Sequence, residues 1–322
     1  MANPIADLSY RNYDGPLEPP AYRWWAIAKA SMQLSLKKKI LWFLGVASGY
    51  WYLIMLAVFY FVDTLGRGQT PLGGKNPLFD RIIWKDQFLN AFSISQFMLF
   101  LVALIIGVGA IANDNRANAL LVYLSKPVSR MDYLIGKWLG IFIPIFVATA
   151  VPMLAFYGYC FLSYRENGFL TEDPHMIFHL LILCFVPAVF HANVSLGISS
   201  LFQQGRLAGA TYAGIFFMTL FFTKAMQVVW IINSGDGKTP IPMVGTLYYC
   251  SVDGLQIGLA KIILGTVGSG LFAGIGDPNA GVGQARSLPI PSVAPFVTAY
   301  FLICGLSLLI AWWKVRAVEV VA

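Results

Sequence analysis

Charge is what this chain of 322 residues has least of. Only 11% of it is Asp, Glu, Lys or Arg, whereas 58% is hydrophobic and the mean hydropathy is +0.68. Soluble domains carry roughly 25% charged residues, so water is excluded as the main solvent. Carboxylates are absent from the six longest apolar runs, which argues against a carrier driven by protons or sodium, because such carriers need intramembrane acids. A phosphate loop is missing too: Gly237-Lys238-Thr239 looks like its tail, but G-x-x-x-x-G-K-[ST] requires glycine where Ile232 stands. Cys160, Cys184, Cys250 and Cys304 have no C-x-x-C spacing, which disfavours a metal cluster. His179 and His191 lie twelve residues apart on one run, about 3.3 helical turns, and no other run offers a facing histidine for haem. No G-x-S-x-G is present. Met1–Pro20 is polar and contains proline, without the apolar core of a cleavable signal, so the N-terminus is expected to stay uncleaved. Catalytic chemistry is therefore not expected of this chain, nor any cofactor of its own.

What the sequence does have is apolar length. Ile40–Val62, Phe88–Ile111, Leu139–Leu162, Met176–Phe202, Leu207–Ile232 and Ala294–Trp313 each reach the roughly 20 residues that a membrane span needs. Hydrocarbon offers backbone groups no partners, so all six are expected to be helices. The fold class is thus all-α, a polytopic integral membrane protein with six transmembrane helices. Residues 1–39 precede the spans, 40–313 hold them, and 314–322 form a tail. Pro144, Pro152 and Pro187 predict kinks that free carbonyls for neighbouring hydroxyls, and small residues around Gly197, Gly205, Gly209 and Gly214 predict close helix approach.

Residues 22–39, YRWWAIAKASMQLSLKKK, place Trp24, Trp25 and Ile27 among cations, the pattern of an interfacial helix on anionic lipid; a simple basic flank of the first span is the blander reading. With the N-terminus in the cytoplasm, six basic residues fall in 1–39 and four in 112–138, a moderate inward bias that puts both termini inside. The loop 233–293 is turn-rich at both ends. Its apolar middle, Val244–Phe272, reads as a re-entrant or interfacial hairpin in preference to a seventh span, since Lys261 and five glycines weaken a lone lipid-facing helix. Lys224 lies within the fifth run. Either its stem reaches the headgroups, or it lines a pathway or an interface.

One polar stretch between spans carries a pattern: Ala112–Gly140, ANDNRANALLVYLSKPVSRMDYLIGKWLG. Asp114 opens a short amphipathic segment in which Leu120, Tyr123 and Leu124 recur at helical spacing, and Pro127 ends it. Ser129 and Asp132 form a capping box for the helix that becomes the third span.

Ser125, Pro127, Val128, Ser129, Arg130, Gly136, Lys137 and Gly140 make this stretch resemble the loop between the second and third spans of ABC type-2 transporter permeases. In place of that family's common E-x-x-x-G-T-L-E run stand Asp114, Asn118, Ala119, Leu120 and Leu121. The resemblance implies a cytoplasmic coupling helix, an N-terminal elbow helix and an inner-membrane location with both termini cytoplasmic. It also implies a separate ABC ATPase subunit that holds ATP and magnesium, and a second permease copy or paralogue. Leu120, Tyr123 and Leu124 would enter a groove of the ATPase; Asp114, Arg116, Lys126, Pro127 and Arg130 would complete the contact. The function implied is the permease subunit of an ABC transporter. Two other readings stand beside it: a mechanotransmitter or scaffold acting on an outer-face partner protein, and a non-ABC secondary carrier. Membrane lipid is expected as a partner and nucleic acid is not.

Overall fold

The computed structural model describes residues 22–67, 79, 82–119, 128–235, 242–268 and 288–315, and those residues form helices and connections without a strand. Five helices are long and apolar enough to cross a membrane: α4 (Trp84–Ile106), α6 (Arg130–Ser163), α8 (Met176–Leu201), α9 (Gly205–Gly235) and α12 (Val293–Lys314). A sixth crossing exists if α2 (Lys39–Ser48) and α3 (Tyr50–Arg67) count as one span. The run expected as the first span is bent by 42° at Gly49. The bend has a packing cause: a Cβ at Gly49 would lie 2.7 Å from Cβ of Pro152, so the chain turns against the proline of α6 with no side chain between them. Pro152 has no N–H, which leaves the carbonyl of Ala148 without its helical partner. Ser48 Oγ sits 3.0 Å from that carbonyl, the use of a freed acceptor that the sequence predicts.

The second span also ends early. Gly107–Ile111 forms turns in place of helix, and α5 (Ala112–Arg116) follows. Ser199 of α8 makes this break tolerable. Its hydroxyl donates to the carbonyl of Val108 at 2.7 Å and accepts the N–H groups of Ile111 and Ala112 at 3.0 Å each, so one buried side chain satisfies three backbone groups at helix ends. Gly197 in the same helix lets α12 approach, since its Cβ would meet the carbonyl of Ser307 at 2.8 Å.

The spans define two ends. At the near end lie α1 (Arg23–Leu36), the last turn of α4, α5, the start of α6 and the start of α9. At the far end an aromatic cluster packs Phe59, Phe79, Trp84, Tyr164 and Phe169 edge-to-face and stacked, with centroid separations of 4.3–6.1 Å among Phe59–Phe79, Phe79–Tyr164, Trp84–Tyr164, Trp84–Phe169 and Phe59–Tyr164. Such pairs favour these geometries through the ring quadrupole. Glu172 of the short helix α7 (Phe169–Glu172) accepts the N–H of Trp84 at 2.8 Å and caps α4. The loop after the fifth span holds two short helices, α10 (Pro242–Leu247) and α11 (Val252–Leu264), of six and thirteen residues. At 1.5 Å per residue neither crosses a hydrocarbon core of about 30 Å. α11 is buried among α4, α8, α9 and α12, so this insertion is part of the bundle. Residues 269–272 of the expected hairpin lie outside the described residues.

Side chains such as Met218 (78% exposed) and Phe221 (71%) on α9, and Leu309 (62%) on α12, face outward. On a water-soluble domain such a surface would be a liability; on apolar spans it is the lipid face.

Candidate functional site

The near end contains the polar stretch singled out by the sequence, and the Gly136-Lys137-x-x-Gly140 pattern becomes legible there. Gly136 and Gly140 stand four residues apart on one face of α6. A Cβ at Gly136 would lie 2.7 Å from both Ile27 Cβ and the carbonyl of Trp24, and one at Gly140 would lie 2.6 Å from Ser31 Cβ. The two glycines are therefore the seat of α1, whose Ile27 and Ala28 are buried against α6. Tyr133 and Lys137, also four apart, occupy the neighbouring face. Lys137 Nζ pairs with Asp114 Oδ2 at 2.7 Å, the Tyr133 hydroxyl donates to the same oxygen at 2.7 Å, and the ammonium lies 5.6 Å from the Tyr133 ring centroid. Both partners of the ion pair are largely buried, with side-chain exposures of 11% and 18%. Hydrogen bonds to charged groups contribute about 1.5–3 kcal/mol each, and partial solvent screening places this pair toward the low end.

Asp114 is thus turned toward α6 and fastens α5 to it. Arg116 and Arg130, at the end of α5 and the start of α6, are exposed. Asn115 Nδ2 donates to the carbonyl of Phe202 at 3.2 Å and ties the same turn to the end of α8. Ser129 caps α6 as the sequence predicts: its Oγ accepts Asp132 N–H at 3.0 Å, and Asp132 Oδ2 accepts Ser129 N–H at 3.1 Å. Lys38 closes the arrangement, since its Nζ donates to the carbonyl of Ile105 at 3.0 Å, in the last turn of α4 where the helix dipole favours a cation. A cavity of about 430 Å³ remains between Ser35, Lys38, Asn113, Lys137 and Arg206.

One expectation is corrected here. An amphipathic helix running on from Asp114 is interrupted, because α5 ends at Arg116 and Asn118 takes φ of 50°, in the left-handed region that asparagine tolerates better than most residues. Leu120, Tyr123, Leu124, Lys126 and Pro127 lie outside the described residues. Lys224 belongs elsewhere: it is exposed on α9 toward the far end, with its ammonium 6.0 Å from the Tyr248 ring centroid. The two histidines of α8 also separate, His179 bonding Asp173 at 2.9 Å and His191 bonding the Tyr212 hydroxyl at 2.6 Å.

Sequence reasoning missed Ser199, the Asp114–Lys137 pair and the burial of Asp253. The pair had a signal: Tyr133 and Lys137 at helical spacing give a donor face that requires a carboxylate, and Asp114 is an acid in the preceding turn.

Apolar spans, a short helix seated on glycines and a connection locked by an ion pair define a multi-pass helical membrane protein. The particular family follows from comparison. The family model described as ABC-2 family transporter protein matches residues 25–307, and the chain belongs to that family. The match includes α1 from Trp25 onward, the Asp114–Lys137–Tyr133 cluster and most of α12. It supports a transporter membrane subunit of the ABC permease kind. None of the curated proteins matches the chain.

Proposed function

We propose that this chain is a permease subunit that couples ATP hydrolysis in a separate ABC ATPase to movement of a solute across the inner membrane. It works as one of two permease copies with two ATPase subunits, and both its termini face the cytoplasm. ATP and magnesium belong to the partner. α1 serves as the elbow helix, and the segment between α5 and α6 is the ATPase contact. The observation that carries this reading is the Asp114–Lys137–Tyr133 clamp, which fixes the last described turn before that segment onto α6. A push delivered to α5 reaches α6 through the Asp114–Lys137 pair and the end of α8 through Asn115. Arg116 and Arg130 supply rim charges; Leu120, Tyr123 and Leu124 supply the apolar anchor.

The test is co-purification with the ATPase and its turnover in detergent for Leu120→Glu and Tyr123→Glu. A helix-in-groove contact loses buried area and shape complementarity in both variants, so loss of co-purification is expected with the spans intact. Wild-type association and turnover in both would overturn the docking role.

A further inference from the structure

The far half of the bundle holds a second polar cavity, of about 480 Å³, bounded by α4, α9 and the inserted α11. Two residues lining it are distinguished by what they lack. Gln96 of α4 is 2% exposed; its Nε2 donates to the carbonyl of Phe92 at 3.3 Å, while its Oε1 has no hydrogen-bond partner among the described residues. Asp253 of α11 is 9% exposed, and its Oδ1 is likewise buried without a partner among them. Two lysines line the same cavity, yet no described ion pair joins either of them to Asp253. Lys261 is committed to the carbonyl of Leu288 at 2.8 Å, and Lys224 lies over the face of Tyr248. Buried acceptors cost free energy until a donor meets them. The donor these two oxygens suit is a cation bearing N–H groups.

Most of the remaining wall is apolar, with Phe97, Phe216, Leu220 and Ile257 beside the polar Asn90, Ser93 and Gln227. Lys224 is exposed and stands near Phe221 on the lipid face of α9, so the cavity adjoins the bilayer. Two acceptors for a cation, an exposed ammonium and a largely apolar wall beside lipid together select an amphiphile with both charges in its headgroup. We propose that this cavity binds a zwitterionic amphiphile, its primary ammonium held by Asp253 and Gln96, its anionic group by Lys224, and its tail along Phe97, Phe216 and Leu220. As the substrate class of the permease, this assignment rests on the transport reading; as a binding site, it stands without it.

The experiment is native mass spectrometry of the full chain, purified without any ATPase in a maltoside detergent and titrated with three probes. Lysophosphatidylethanolamine has the ammonium, the phosphate and the tail; lysophosphatidylglycerol lacks the ammonium; O-phosphoethanolamine lacks the tail. Wild type should bind lysophosphatidylethanolamine at least about ten-fold more tightly than either of the others, the scale of one charge-assisted hydrogen bond. Asp253→Asn, nearly isosteric, should lose about ten-fold for lysophosphatidylethanolamine and nothing for lysophosphatidylglycerol. Lys224→Gln, at an exposed position where misfolding is not a concern, should weaken both lipids. Unchanged lysophosphatidylethanolamine binding in Asp253→Asn, or equal binding of the two lipids by wild type, overturns the ammonium site. Equal binding of O-phosphoethanolamine overturns the amphiphile and leaves a site for free headgroup chemistry. Tyr123→Glu run in parallel should bind as wild type, so failure of ATPase docking and failure of this site are read separately.

Discussion

The two ends of the bundle treat buried polar groups in opposite ways. At the near end the chain supplies partners to its own helix ends: Ser199 serves the break after α4, Lys38 the last turn of α4, and Lys137 with Tyr133 the carboxylate of Asp114. At the far end Gln96 and Asp253 keep buried oxygens without described partners. The difference does not follow from exposure, since the near end is nearer to open solvent at Arg116 and Arg130. A satisfied network resists deformation because every displacement breaks a bond, whereas an unsatisfied one gains most when something else binds. The near end is built to hold its shape, and the far cavity is built to accept a group from outside.

The sharpest way to break the comparison is to unseat α1. Gly136→Leu forces a side chain into the carbonyl of Trp24 and into Ile27, at positions where even a Cβ would stand 2.7 Å away. Overpacking costs about 1–3 kcal/mol, and a backbone atom cannot yield as a side chain can, so the upper end is expected. The thermal midpoint in detergent should fall more than in any other variant described here, and protease should reach α1. A wild-type midpoint would mean that α1 is only loosely attached.

Ser199→Ala comes next. It leaves the N–H groups of Ile111 and Ala112 and the carbonyl of Val108 without their side-chain partner, at about 1–3 kcal/mol for an unsatisfied buried group, with partial relief from the turns nearby. Amide exchange at residues 108–112 should accelerate while the far end keeps its protection. Acceleration at both ends would mean that the two regions unfold together.

Lys137→Met with Asp114→Asn tests the clamp itself. Each single variant should cost about 1–2 kcal/mol, because removing one partner strands the other, discounted for the 11% and 18% exposure of the pair. The double variant should cost less than the sum of the two, with a coupling of about 1 kcal/mol. Additive losses would reduce the ion pair to a coincidence of packing.

How much of this was legible beforehand divides along the same line. Spans were readable because a bilayer imposes length and hydropathy directly on sequence, and the Ser129–Asp132 capping box because its partners are three residues apart. Pro152 was readable as a source of a free carbonyl, but Ser48, which takes it, is 104 residues away in sequence. Gly49 carried no mark that it would bend the first span; the reason lies in Pro152 on another helix. Asp253 escaped notice because it stands in the insertion between the fifth and last spans, and only the packing of α11 among the spans buries it. Local chemistry is written locally. Whatever depends on which helix lies beside which must be seen in three dimensions.

The smallest effect is expected at the rim of the far end. That end also has satisfied carboxylates, and they lie in its rim, outside the spans. Asp173 accepts from Lys85 Nζ at 3.1 Å, His175 N–H at 3.0 Å and His179 Nδ1 at 2.9 Å. Burial alone would raise its carboxyl, but the hydrogen bonds from Lys85, His175 and His179 outweigh it and hold the group below 3.8. Its neighbour Glu172 moves the other way, raised by burial despite the amide N–H groups of Trp84 and Lys85. An acid whose native pKa is depressed stabilises the fold above its unfolded value and loses that contribution as pH falls through the native one. Asp173→Asn should therefore lower the thermal midpoint by an amount equivalent to about 1 kcal/mol at pH 7. The gap to wild type should hold down to about pH 5 and close as pH falls below 3.8. Glu172 is present in both proteins, so its opposite trend cancels in the difference. A gap that persists unchanged at the acid end would show that Asp173 acts by shape and not by charge, and the rim would then join the cavity as a region where the far end leaves its electrostatics uncompensated.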